Sequence, residues 1–131
     1  DHGVSDGMPV VVAEGVVGRV IRSAERFSRV LLITDASSAV ASLLQNNRAR
    51  GICRGQGEQL VFDFVLREQH VEVGDRLVTS GMGGVFPKGL PLGLVTAVKT
   101  DQFSLFQQVT AQTTTDFSHL EEVMVIVGDD Q

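Results

Sequence analysis

The chain has 131 residues, with 11 Lys+Arg against 16 Asp+Glu for a formal charge of −5 at pH 7, enough for one domain or two very small ones sharing an interface. Hydrophobic residues at 43% and charged residues at 21% exclude a disordered polyelectrolyte, and the acidic balance argues against nucleic acid or an anionic membrane as the main partner. The single cysteine, Cys53, excludes an internal disulfide and a cysteine-based zinc cage, and no window approaches the roughly 18 apolar residues of a membrane span.

The start, Asp1-His2-Gly3 without Met or a signal pattern, is expected of a piece of a longer protein. Thereafter β-branched runs are punctuated by Gly, Asp and Ser, which predicts an all-β fold. The predicted strands are residues 8–13, 16–22, 29–34, 40–45, 50–54 and 60–66, then 76–79, 92–100, 106–113 and 122–127. In the sixth, Leu60, Phe62, Phe64 and Leu66 alternate and should share one face, with Asp63 on the other. In the last, Val123, Val125 and Val127 oppose Met124 and Ile126, a strand covered on both sides. Asp35-Ala36-Ser37-Ser38 and Ser118-His119-Leu120-Glu121 predict one-turn connectors only, because no 3.6-residue stripe follows either.

An internal echo links the halves. Gly18-Arg19-Val20 and Gly93-Leu94-Val95 each precede a Val-bearing strand ending in Thr, then Asp35-Ala36-Ser37 or Asp116-Phe117-Ser118. The expectation is therefore an all-β fold of two small antiparallel β-barrels, six- and five-stranded in type, packed side by side as a chymotrypsin-like double barrel with minimal helix. The first would span residues 1–70 and the second 71–131, with the N-terminal strand free to cross over.

A double barrel raises the question of a hydrolase. The best nucleophile is Ser80, in Thr79-Ser80-Gly81-Met82-Gly83-Gly84, whose glycine N–H groups could serve an oxyanion. The histidines His2, His70 and His119 are scattered, with no ligand or triad spacing, and Glu121-Glu122 would sit on opposite strand faces. Asp129-Asp130 reads as an acidic tail. Gly81-Met82-Gly83-Gly84 with Lys88 lacks the Gly-Lys-Ser/Thr and the following helix of a phosphate loop. No catalytic, metal or cofactor residue is assigned.

The stretch from 81 to 93 holds Gly81, Gly83, Gly84, Gly89 and Gly93 with Pro87 and Pro91, a fixed, non-ladder backbone. At least two of Gly81, Gly83, Gly84 and Gly89 should have positive φ. Val85, Phe86 and Leu90 ride on this loop, either folded back as a plug or presenting an apolar surface. All seven aromatics are Phe. Phe62 and Phe64 suit a core, whereas Phe86 and Phe103 lie in turns without an inward periodicity. The predicted partner-binding surface is therefore Met82, Val85, Phe86, Lys88, Leu90, Phe103 and Phe106. The competing reading makes Phe86 a cap on the barrel end.

The sixteen residues 78–93, Val-Thr-Ser-Gly-Met-Gly-Gly-Val-Phe-Pro-Lys-Gly-Leu-Pro-Leu-Gly, resemble the signature of the MreC family of rod-shape proteins. Gly7-Met8-Pro9-Val10-Val11, Ser28-Arg29-Val30-Leu31-Leu32, Leu105-Phe106-Gln107 and Leu120-Glu121-Glu122-Val123 extend the likeness over nearly the whole chain. The resemblance implies the extracytoplasmic, periplasmic β region of a protein anchored by one N-terminal helix and a coiled coil, both outside this sequence. It implies a non-enzymatic scaffold of peptidoglycan elongation, without cofactors. The implied partners are MreD, the actin-like MreB and a class B penicillin-binding transpeptidase, together with self-association as a homodimer or filament.

Overall fold

The β-branched runs become ten strands in this computed structural model, which describes residues 7–23, 28–117 and 124–125, with no α-helix among them. In order they are β1 (Pro9–Val12), β2 (Gly15–Ser23), β3 (Ser28–Leu32), β4 (Ala39–Leu44) and β5 (Arg50–Gly55). The rest are β6 (Leu60–Leu66), β7 (Arg76–Thr79), β8 (Pro91–Lys99), β9 (Phe106–Thr113) and β10 (Met124–Val125). All neighbours pair antiparallel, in a four-stranded sheet of order β10-β1-β2-β3 and a closed barrel of order β4-β5-β6-β9-β8-β7.

This topology corrects the expected pair of barrels divided near residue 70. Strand β4 pairs with β7 (Ser42↔Thr79, Leu43↔Val78) and β6 with β9 (Leu60↔Ala111, Phe62↔Val109), so both sides of that point close one barrel. The physical reason is the edge. With β1–β3 paired in their own sheet, β4–β6 and β7–β9 are three strands each, too few to close on themselves, and each set would leave two unpaired rows of N–H and C=O groups that the other satisfies. The sheet changes instead in the connection 33–38, after β3. Strand β1 does pair with β10 from the far end of the chain (Val10↔Val125), but within the four-stranded sheet rather than with a second barrel.

The main core spans both layers, and a smaller cluster of Val10, Val17 and Val20 lies within the sheet. Val11, Val16 and Ile33 cluster with the barrel interior of Leu44, Leu60, Phe62, Leu77, Leu92 and Val95, all of them buried. Thr115 Oγ1 donates to Val16 O at 3.1 Å, tying the segment after β9 to β2.

Strand β6 departs from simple alternation. Its register against β9 shifts between Phe62 and Val65, and Phe64 takes φ 66°. An inserted residue turns the following side chains over. Val65 is buried, while Phe64 is 55% exposed and Leu66 42% exposed, so the single face expected for Leu60, Phe62, Phe64 and Leu66 is corrected. Phe64 instead stands edge-on to Phe106, ring centroids 5.6 Å apart at 89°.

Candidate functional site: an apolar face on the barrel wall

The glycine-rich segment after β7 is held by one threonine. Thr79, fully buried, donates from Oγ1 to Pro87 O at 2.5 Å and accepts there from Leu90 N–H at 2.8 Å. Its backbone pairs with the same stretch, Thr79 N to Leu90 O at 2.9 Å and Gly89 N to Thr79 O at 2.8 Å. Gly81, Gly83, Gly84 and Gly89 all have positive φ, from 77° to 92°, where a Cβ is disfavoured. Gly93 lies within β8, where a Cβ would come 2.5 Å from Gln112 O. Thr79→Val, which keeps the shape and removes both hydroxyl bonds, is expected to cost about 1–2 kcal/mol in urea denaturation. An unchanged midpoint would show that the clamp contributes nothing.

The loop divides the predicted surface. Phe86, 8% exposed, belongs to the core cluster, and Val85 and Leu90 pack against it partly buried. These three therefore form the plug, and Phe86 is corrected from anchor to core. Met82 is 64% exposed, and Pro87, Lys88 and Pro91 are also exposed. Ser80 is nearly buried and its Oγ accepts from Met82 N–H at 3.2 Å, so its hydroxyl caps the turn. The His70 ring bonds Glu72 at 2.7 Å, and no structural contact brings it to Ser80 among the described residues. His2, His119, Glu121, Glu122, Asp129 and Asp130 lie outside the described residues. Among the described residues no three of His, Cys, Asp and Glu gather to hold a metal. Burial pushes the Cys53 thiol up to about 12, which keeps it protonated and inert.

A second exposed turn sits beside β6. Asp101 Oδ1 accepts Phe103 N–H at 2.9 Å, and Asp101 O accepts Ser104 N–H at 3.0 Å. Arg67 Nη1 donates to Gln102 O and, at 3.0 Å, to Ser104 O. These bonds fix the backbone that carries Phe103, 88% exposed, and Leu105, 62% exposed.

Ladder and backbone bonds bring this turn up to the end of β6. Leu66 pairs across the ladder with Phe106, Arg67 N donates to Leu105 O, and Phe106 touches Phe64. Phe64 and Met82 in turn line one hollow of about 320 Å³ with Ala41, Ile52 and Arg50. A second hollow, about 370 Å³, also borders Phe64, with Arg48, Arg50, Leu66 and Gln69 around it. The structure thus connects the predicted Met82 and Phe106 through Phe64, which the sequence reading had placed in the core, and ties the turn that carries Phe103 to the end of β6 through Arg67. Only the bulge exposes Phe64, and no residue type signals it.

The chain matches the family described as rod shape-determining protein MreC, barrel core, over residues 1–127. It is 37% identical over 132 residues to the cell shape-determining protein MreC of Escherichia coli, covering 99% of this chain and 36% of that protein. The chain thus spans about a third of that relative's length. The crystal structure of MreC from Pseudomonas aeruginosa superposes with a TM-score of 0.91 at 33% identity, covering 95% of this chain and 81% of that one. A chain from a complex between penicillin-binding protein PBP2 and MreC of Helicobacter pylori shares the fold at a TM-score of 0.67 and 21% identity, covering 79% of this chain and 65% of that one.

Proposed function

We propose that this chain, which belongs to the MreC family of rod shape-determining proteins, is the β-rich part of a non-enzymatic scaffold that holds a penicillin-binding transpeptidase for wall elongation. The observation that carries the reading is the apolar face of Met82, Phe64 and Phe106, together with Phe103 presented to solvent on a rigid turn that Arg67 ties to the end of β6. Exposed aromatics on fixed backbone lose little conformational entropy on binding and are the usual anchors of an interface. Met82, Phe103 and Phe106 make the contact, Lys88 stands at its rim, and Val85, Phe86 and Leu90 anchor in the core the loop that carries Met82. The Helicobacter pylori complex of a penicillin-binding protein with MreC gives the partner class a precedent in a protein of the same fold. The same reading places the chain outside the cytoplasmic membrane, behind an N-terminal anchor. There it would join MreD, the MreB-linked machinery and further copies of itself. A hydrolase role for Ser80 has no such support, since among the described residues no histidine bonds its oxygen and the His70 ring is bonded to Glu72.

The test uses the full-length protein and the ectodomain of the transpeptidase from the same bacterium. Met82→Ser with Phe103→Ala should weaken binding at least about tenfold and leave the melting temperature unchanged, because both side chains are exposed. Unchanged affinity would overturn the docking face.

A further inference from the structure

Two backbone outliers converge on one place. Among the described residues the non-glycine positions with positive φ are Arg48, at 63°, and Phe64, at 66°. They come from different parts of the chain, the β4–β5 turn and the β6 bulge, yet both line the same hollow. Glycine or asparagine would relieve either at no cost to the ladder, and an aromatic ring is a poor occupant of that region. Strain kept at two residues of one surface marks a place selected for something other than stability.

The charges around it are one-sided. Among the described residues no Asp or Glu lines either hollow, although the chain carries −5 overall. Nearby cations are engaged: Arg54 pairs with Asp63 at 3.7 Å, and Arg67 serves the carbonyls of Gln102 and Ser104. Arg48 and Arg50 make no ion pair among the described residues, and Arg50 Nη1 donates only to the sulfur of Met82, at 3.2 Å. Thioether sulfur is a weak acceptor, so most of the guanidinium fork stays available for a carboxylate. Arg50 and Phe64 border both hollows, which joins an apolar recess to a cationic one.

We infer that the paired hollows around Phe64 receive an acidic, apolar-anchored segment of the transpeptidase partner. A large apolar side chain enters the recess of Ala41, Ile52, Phe64 and Met82, and an adjacent Asp or Glu meets Arg50 and Arg48. This rests on the scaffold reading above and names the chemistry that the partner must show. Charge complementarity selects that occupant. A bidentate guanidinium–carboxylate pair also fixes register, which an apolar face alone does not.

The experiment measures binding of the full-length protein to the transpeptidase ectodomain at low and high salt, with sedimentation of the scaffold alone alongside. Arg50→Glu is expected to weaken binding about tenfold or more and to flatten its salt dependence. Arg48→Gly should melt higher than the parent and bind several-fold more weakly, a split that a merely structural arginine would not show. If Arg50→Glu binds normally while Met82→Ser with Phe103→Ala does not, the docking face stands and the acidic-segment inference falls. If Arg50→Glu alters self-association but not transpeptidase binding, the hollows belong to a second copy and the inference is overturned. Absence of binding by the parent protein would overturn both readings.

Discussion

Phe62→Ala is expected to cost about 3–5 kcal/mol of unfolding free energy, and Phe64→Ala only about 1 kcal/mol, although the two phenylalanines stand two residues apart on β6. Phe62 is fully buried, and its ring lies so close to Gly51 that a Cβ there would come 2.7 Å from Phe62 Cε1. Removing it empties the centre of a barrel whose walls are pinned by ladders on every side, so little can relax into the cavity. Phe64 is 55% exposed and touches Phe106 edge-on, an arrangement worth roughly 0.5–1.5 kcal/mol. Urea denaturation of the two variants in parallel gives the comparison. Equal losses would mean that β6 pleats regularly and that the bulge is absent, and with it the apolar face.

That contrast also shows what was legible in the residues and what was not. Most of the strands were legible, because they are β-branched runs closed by a Gly, Asp or Ser turn, and local chemistry sets those limits. The loop was legible for the same reason, as all four of its predicted glycines sit at positive φ. Phe103 was legible as exposed because Asp101 and Ser104 build a polar turn around it. Pairing was not legible. The closure of β4 on β7 depends on which edges remain when the other strands have found partners, and nothing near Ser42 or Thr79 encodes it. The bulge was hidden too, because Leu60, Phe62, Phe64 and Leu66 alternate perfectly as letters while the backbone inserts a residue among them. Phe86 failed differently: a loop has no period, so its inward direction follows only from the Thr79 clamp.

The same long-range logic predicts a steric failure at Gly55. This residue closes β5 opposite Leu60, and its N–H donates to Ser38 O at 3.2 Å. Its φ is ordinary, so alanine meets no torsional objection there. Its space is the difficulty. A Cβ would lie 2.6 Å from Ile33 O and nearer still to Thr34 C and Asp35 O, all backbone atoms of the connection between the sheet and the barrel. No rotamer change relieves a clash with backbone, so the connection itself must move. It is held at one end by the buried side chain of Ile33 in the shared core and by Gly57 N donating to Thr34 O at 2.9 Å, and at the other by Gly55 N donating to Ser38 O. Gly55→Ala should therefore cost about 3 kcal/mol, the upper end for overpacking. Gly57→Ala is the control: its φ is 87° and its surroundings are open, so it should lose only about 1 kcal/mol to backbone strain. Should Gly55→Ala prove the milder of the two, the connection does not cross β5 at van der Waals contact. The sheet and the barrel would then be joined by a slack tether, and an apolar face on the barrel would have no fixed relation to β1–β3.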